Sequence, residues 1–312
     1  FKELKNYQKA KECYEKAIEI NASHTEALNN LGAIFKELKD FKKAKECYEK
    51  VIEIKPNHAN AHNNLGNILY ELKEFQIAKE CYEKAIEINP NYAVAYNNLG
   101  VLFGELNENQ KVKECYEKAI EINPNYDEAY TNLAIIFHKS GESQKAISLH
   151  KKAIEINPNN ANAHNNLGLT FNDLREYLKA IKCFDKVLQI DPSNSELVNN
   201  LATSFRFIKN DSMIKNHLYL KKLFLFIFKN KNTNHKFITK DISVFLFEAK
   251  NFNQIINILK SKTLLLQNKI IQDLLKEELF HLVLQKSLIP NILYEKLLTQ
   301  LRYQILFTLN DT

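Results

Sequence analysis

The residues of this chain best able to do chemistry are its five cysteines, which could act as nucleophiles, disulfide partners or soft metal ligands. Cys13, Cys47, Cys81 and Cys115 follow one another at intervals of 34, and Cys183 stands two intervals further on. A period that strict puts each thiol at the same point of a repeated unit, roughly 10 Å from its equivalent where helices pack side by side. A disulfide tolerates Cα atoms only within roughly 7 Å, and thiols so spread cannot converge on one zinc. Leu149 takes the same place in the one copy without cysteine. The column is therefore expected to be a small apolar filler, and unpaired thiols fit a cytoplasmic location. His62 and His164 also share one place in the repeat, where Leu28, Tyr96, Tyr130 and Val198 stand in other copies. No carboxylate or cysteine lies at ligand spacing, so packing is their expected role. His58 is four residues from His62 but precedes the helix. No glycine-rich phosphate loop, paired carboxylates, nucleophile elbow or metal motif occurs in the 312 residues. No catalytic residue, cofactor or metal is assigned, and the residues present are not expected to form an enzyme.

Asparagine is the other side chain with a clock. With copies beginning at Thr25, Ala59, Ala93, Asp127, Ala161 and Ser195, position six is Asn30, Asn64, Asn98, Asn132, Asn166 and Asn200. Position five is Asn29, Asn63, Asn97, Asn165 and Asn199, with Thr131 as the exception. Asparagine is a poor helix former, and internal packing offers no evident reason for it. Its amide carries one acceptor and two donors, so it can pair with both halves of a peptide unit whatever side chain that peptide bears.

The elements that hold these residues are read from the same period. Pro56, Pro90, Pro124, Pro158 and Pro192 recur every 34 residues, each after Asn, Asp or Lys, and stop a helix there. Position seven is Leu31, Leu65, Leu99, Leu133, Leu167 and Leu201, while position eleven is Phe35, Leu69, Phe103, Phe137, Phe171 and Phe205. Apolar spacings of three and four, repeated twice per unit around a break near position fifteen, predict two short antiparallel amphipathic helices. Gly32, Gly66, Gly100 and Gly168 share position eight with Ala134 and Ala202. A helical glycine costs about 1 kcal/mol relative to alanine, so its return predicts a close approach by the partner helix.

This pattern resembles the tetratricopeptide repeat: Leu65-Gly66, then Ala78, Tyr82, Ala85 and Pro90 recur at the same offsets in five full copies. The resemblance covers residues 1–204 and fades over 205–228. It implies an all-α, right-handed superhelix, an α-solenoid of antiparallel helix hairpins with a degenerate helical C-terminal region. The array spans 1–228, as a partial repeat at 1–24, five full repeats at 25–194 and a degenerate repeat at 195–228. An extension follows at 229–312, with one more degenerate hairpin expected at 236–262 and capping or connector helices after it. Phe1 stands at position eleven of a copy and no methionine opens the chain, so a fragment of something longer is expected.

In the resembling family, positions two, five, six, nine, twelve and thirteen face a concave groove. The asparagines would then form a ladder similar to that of the array in O-linked N-acetylglucosamine transferases, which grips extended polypeptide by its main chain. The implied peptide-binding residues are Asn30, Asn64, Asn98, Asn132, Asn166 and Asn200, with Asn63, Asn97 and Asn165. Six amide contacts give roughly 3 to 9 kcal/mol before the cost of ordering a peptide. That corresponds to micromolar or weaker binding of low selectivity, since micromolar is about 8 kcal/mol. The family's carboxylate clamp needs cations on this wall, but position two reads Glu26, Asn60, Val94, Glu128, Asn162 and Glu196.

Charge divides unevenly: residues 1–204 carry a net −3 and residues 205–312 a net +9. The tail's lysines stand singly or in one pair and no nucleic-acid reading motif accompanies them, which argues against nucleic acid as a partner. The longest apolar run, Leu223 to Phe228, is too short to span a membrane. The sequons at Asn21, Asn210 and Asn310 matter only in a secreted chain. Leu293 to Leu306 is similar to the helical connector that precedes a methyltransferase domain in some bacterial proteins. Two functions are therefore expected to compete. One is a monomeric scaffold or adaptor that holds protein or peptide ligands on the asparagine-lined face. The other is the substrate-presenting N-terminal region of a larger methyltransferase or glycosyltransferase.

Overall fold

The computed structural model describes residues 2–191 together with Asn194, Leu197, Asn200, Leu201, Thr203 and Ser204. Its helices are α1 (Lys2–Ile20), α2 (Thr25–Glu37), α3 (Phe41–Ile54), α4 (Ala59–Glu71), α5 (Phe75–Ile88), α6 (Ala93–Glu105), α7 (Asn109–Ile122), α8 (Asp127–Lys139), α9 (Ser143–Ile156), α10 (Ala161–Asp173) and α11 (Tyr177–Ile190). No strand occurs among the described residues. The chain divides into two compact units, Phe1–Pro158 and Asn159–Thr312. In the first, α1 is followed by the hairpins α2/α3, α4/α5, α6/α7 and α8/α9, each stacked on the next. In the second, α10 and α11 form a hairpin of the same kind. The expected degenerate repeat at 195–228 is described only at the few residues named above, and the expected extension at 229–312, with its hairpin at 236–262, lies outside the described residues.

Each first helix covers positions one to thirteen and each second helix positions seventeen to thirty. The break between them is made by left-handed backbone at position fifteen: Lys39, Lys73, Asn107 and Arg175 have φ of 59°, 63°, 60° and 59°, and Gly141 has 81°. There the Lys73 amide donates to Tyr70 O and the Glu74 amide to Leu69 O, both at 2.9 Å. These paired bonds satisfy carbonyls that the helix end leaves open. Second helices stop in extended residues such as Asn89, at φ −132°, directly before the recurring proline.

Small residues let the helices of a hairpin close up. Ala27, Ala61, Ala95 and Ala129 at position three, Ala44, Ala78, Val112 and Ala146 at position twenty, and Val51, Ala85, Ala119 and Ala153 at position twenty-seven are all at most 2 % exposed. Leu31, Leu65, Leu99 and Leu133 join Ala44, Ala78 and Val112 in a core that runs from hairpin to hairpin and takes in Cys47, Cys81 and Cys115. The close approach expected at position eight is made by an aromatic ring. A Cβ on Gly32, Gly66 or Gly100 would lie 2.8, 2.6 or 2.6 Å from the ring of Tyr48, Tyr82 or Tyr116, and one on Gly168 would lie 2.4 Å from Phe184. In the hairpin where alanine, Ala134, replaces glycine, His150 replaces the larger ring. His150 is fully buried and neither ring nitrogen has a hydrogen-bond partner.

Candidate functional site

Positions two, six, nine, twelve and thirteen are exposed or half-buried in every first helix from α2 to α10. Spacings of three and four put them on one helical face, opposite the alanine and leucine columns that meet the second helix. Position five lies deeper, between neighbouring first helices: Asn63, Asn97 and Thr131 are 2 %, 1 % and 3 % exposed.

The two asparagine columns are bonded to each other across hairpins. Asn64 Nδ2 donates to Asn29 Oδ1 at 3.1 Å, Asn98 Nδ2 to Asn63 Oδ1 at 3.0 Å, and Asn132 Nδ2 to Asn97 Oδ1 at 3.0 Å. In the second unit Asn200 Nδ2 donates to Asn165 Oδ1 at 3.3 Å. Each bond spans 35 residues, one repeat plus the step from position five to position six. The sequence offered no internal reason for asparagine here, and these bonds correct that reading: position five, buried at Asn63 and Asn97 and half-buried at Asn29 and Asn165, is the acceptor that orients the amide at position six. Asn98 Nδ2 makes a second bond, to Asn67 Oδ1 at 3.0 Å, and Asn67 Oδ1 also accepts from the Tyr82 hydroxyl at 2.8 Å. The face is thereby tied to the aromatic ring that packs on Gly66.

After these bonds, Asn64, Asn98, Asn132, Asn166 and Asn200 remain half-buried and Asn30 exposed. Asn64 Oδ1 accepts a long bond from Asn63 Nδ2 at 3.4 Å. Asn98 Oδ1 and Asn132 Oδ1 have no donor among the described residues, so the ladder presents oriented acceptors. Asn97 Nδ2 is buried without a partner, a cost of about 1 to 3 kcal/mol.

The remaining candidates for chemistry take structural places. Cys47, Cys81 and Cys115 are buried, and burial pushes their thiols up to about 11, 11 and 12, far from thiolate at neutral pH. Cys13 is exposed and Cys183 half-buried, and none of the five is in a disulfide. His58 caps α4, its Nδ1 accepting from the Ala61 amide at 3.2 Å, while His62 Nε2 lies 2.9 Å from Pro56 O. The pair therefore fastens a loop to a helix start, and His164 is buried in α10. Among the described residues no group of three or more His, Cys, Asp or Glu could hold a metal ion. No described helix is long and apolar enough to cross a membrane.

Family models of the tetratricopeptide repeat match residues 25–58, 59–92, 93–126 and 161–194, with further models of the same repeat over 1–24, 115–148 and 136–174. No curated protein matches the chain in sequence. Among solved structures it is similar to the APC/C hetero-tetramer Cut9–Hcn1, with 13% identity and a TM-score of 0.63 over 75% of this chain and 46% of that one. It is also similar to PilF of Pseudomonas aeruginosa, with 20% identity and a TM-score of 0.55 over 64% and 89% of the two chains. A third likeness is to a thermophilic TPR protein of Thermus thermophilus, with 17% identity and a TM-score of 0.51 over 58% and 98%.

Proposed function

Because the chain belongs to the tetratricopeptide repeat family, whose arrays are protein-interaction scaffolds, we propose that it is an adaptor whose first-helix face holds extended polypeptide by the main chain. The observation that carries this reading is the half-buried amide at position six, oriented by its neighbour and repeated once per hairpin. Stacked helices lie roughly 10 Å apart, and an extended chain rises about 3.3 Å per residue. A peptide laid along the face therefore meets one asparagine about every third residue. An Oδ1 acceptor that takes a peptide N–H is indifferent to the side chain, which gives broad and weak binding.

The test is a peptide array probed with the native chain, with an Asn64, Asn98 and Asn132 to alanine variant, and with the single change Asn30→Ala. Asn30 makes no internal side-chain hydrogen bond among the described residues, so its loss leaves the stacking intact. Weak, broad binding that falls in Asn30→Ala and disappears in the triple variant, with helical circular dichroism retained, supports the reading. Binding unchanged in both variants contradicts it. The rival transferase reading draws on residues 293–306, which lie outside the described residues.

A further inference from the structure

The first-helix face is not uniform along the first unit. Among α2, α4, α6 and α8, only α6 carries aliphatic residues at both position two and position nine, Val94 and Val101. Val94 is 39 % exposed. At position twelve, where Lys36, Tyr70 and His138 stand in the other three, α6 has Gly104. This glycine does not serve the close packing of position eight, because a Cβ built on it meets no atom within 4 Å. A helical glycine that no neighbour requires leaves an open notch on the face. Val101 stands one turn before it on the same helical face, and position nine of the next first helix is the half-buried Ile135. On the preceding hairpin Tyr70 closes toward it, its hydroxyl donating to Glu105 Oε1 at 3.3 Å.

Carboxylates outnumber lysines on this face, although Lys73 Nζ stands 5.7 Å from the Tyr70 ring centroid. Several carboxylates of the second helices pair with lysines of the same helix, as in Lys79–Glu83, Lys84–Glu87, Lys113–Glu117 and Lys118–Glu121. On the first-helix face Glu26, Glu37, Glu71, Glu105 and Glu128 have no ion-pair partner among the described residues, against two lysines, Lys36 and Lys139. Unmatched carboxylates along a binding face favour a cationic ligand.

We propose that this face selects an extended peptide in which an aliphatic side chain, seated in the Gly104 notch, is flanked by lysine or arginine that meets Glu71 and Glu105. The inference rests on the peptide-binding reading above. It adds a side-chain preference to main-chain capture.

The probe is a short labelled peptide of alternating lysine and serine with one central leucine, titrated into the full chain by fluorescence polarisation. Two companions replace the leucine by serine or the lysines by glutamate. The leucine peptide is expected to bind about tenfold tighter than its serine companion, the change that burial of one aliphatic side chain gives. Gly104→Leu fills the notch, so it should abolish the advantage of the leucine peptide over its serine companion while helical circular dichroism is retained. Glu71→Gln and Glu105→Gln should each weaken the lysine peptides by about threefold, an effect that added salt suppresses. A leucine advantage that survives Gly104→Leu, or a glutamate peptide that binds as well, overturns the selectivity. Equal binding of the leucine and serine peptides overturns the notch and leaves main-chain capture standing. No binding of any peptide overturns both.

Discussion

At the scale of single residues, the pair Ala134 and His150 shows how one substitution permits another. Every other described hairpin sets a Tyr or Phe ring against a glycine, at distances that leave no room for a Cβ. A tyrosine at 150 should therefore destabilise the fold in the presence of Ala134, and Ala134→Gly should rescue it, with a coupling of about 1 to 3 kcal/mol in a double-mutant cycle. The compensation leaves an imidazole buried without partners, and burial, aided by the charge of His138, pushes its pKa down to about 4. An unfolded histidine titrates near 6.5. The unfolded chain thus takes up the proton first as pH falls, and stability is lost from about pH 6.5 down to about pH 4, by roughly 3 kcal/mol in all. Urea unfolding at about pH 7.5 and pH 4.5 checks this. The native chain should lose more stability between the two than His150→Tyr paired with Ala134→Gly, and equal losses would refute the assignment.

At the scale of elements, position fifteen forces four non-glycine residues into left-handed backbone. Replacing one by glycine removes that strain, and Lys73→Gly should raise stability by about 0.5 to 1 kcal/mol in chemical denaturation. The same change at half-buried Lys84, inside α5, should lower it by about 1 kcal/mol. The helix pairs were legible in the sequence because proline, the apolar columns and the break near position fifteen are all local signals. The glycine column was legible as a demand for space, but the ring that fills the space stands sixteen residues on, in the second helix. The asparagine bonds were not legible at all. They span 35 residues and depend on how far one hairpin is offset from the next, which no single hairpin encodes. His150 was not legible because a lone histidine breaks no periodic pattern, and only its burial gives it meaning.

At the scale of the whole molecule, each hairpin of the first unit is stable through its neighbours, sharing one core beneath and an amide chain above. The same stacking that gives the Oδ1 atoms of Asn63 and Asn97 a donor leaves those of Asn98 and Asn132 without one among the described residues, on the face where a ligand would lie. The central claim is that those acceptors take main-chain N–H groups. Calorimetric titration of the chain with an extended peptide, and with the same peptide N-methylated on the backbone at every third residue, tests it without altering the protein. Loss of two or more peptide N–H donors should weaken binding by about tenfold whatever the side chains, at about 0.5 to 1.5 kcal/mol for each bond. Equal affinity for the two peptides in every methylation register would contradict it.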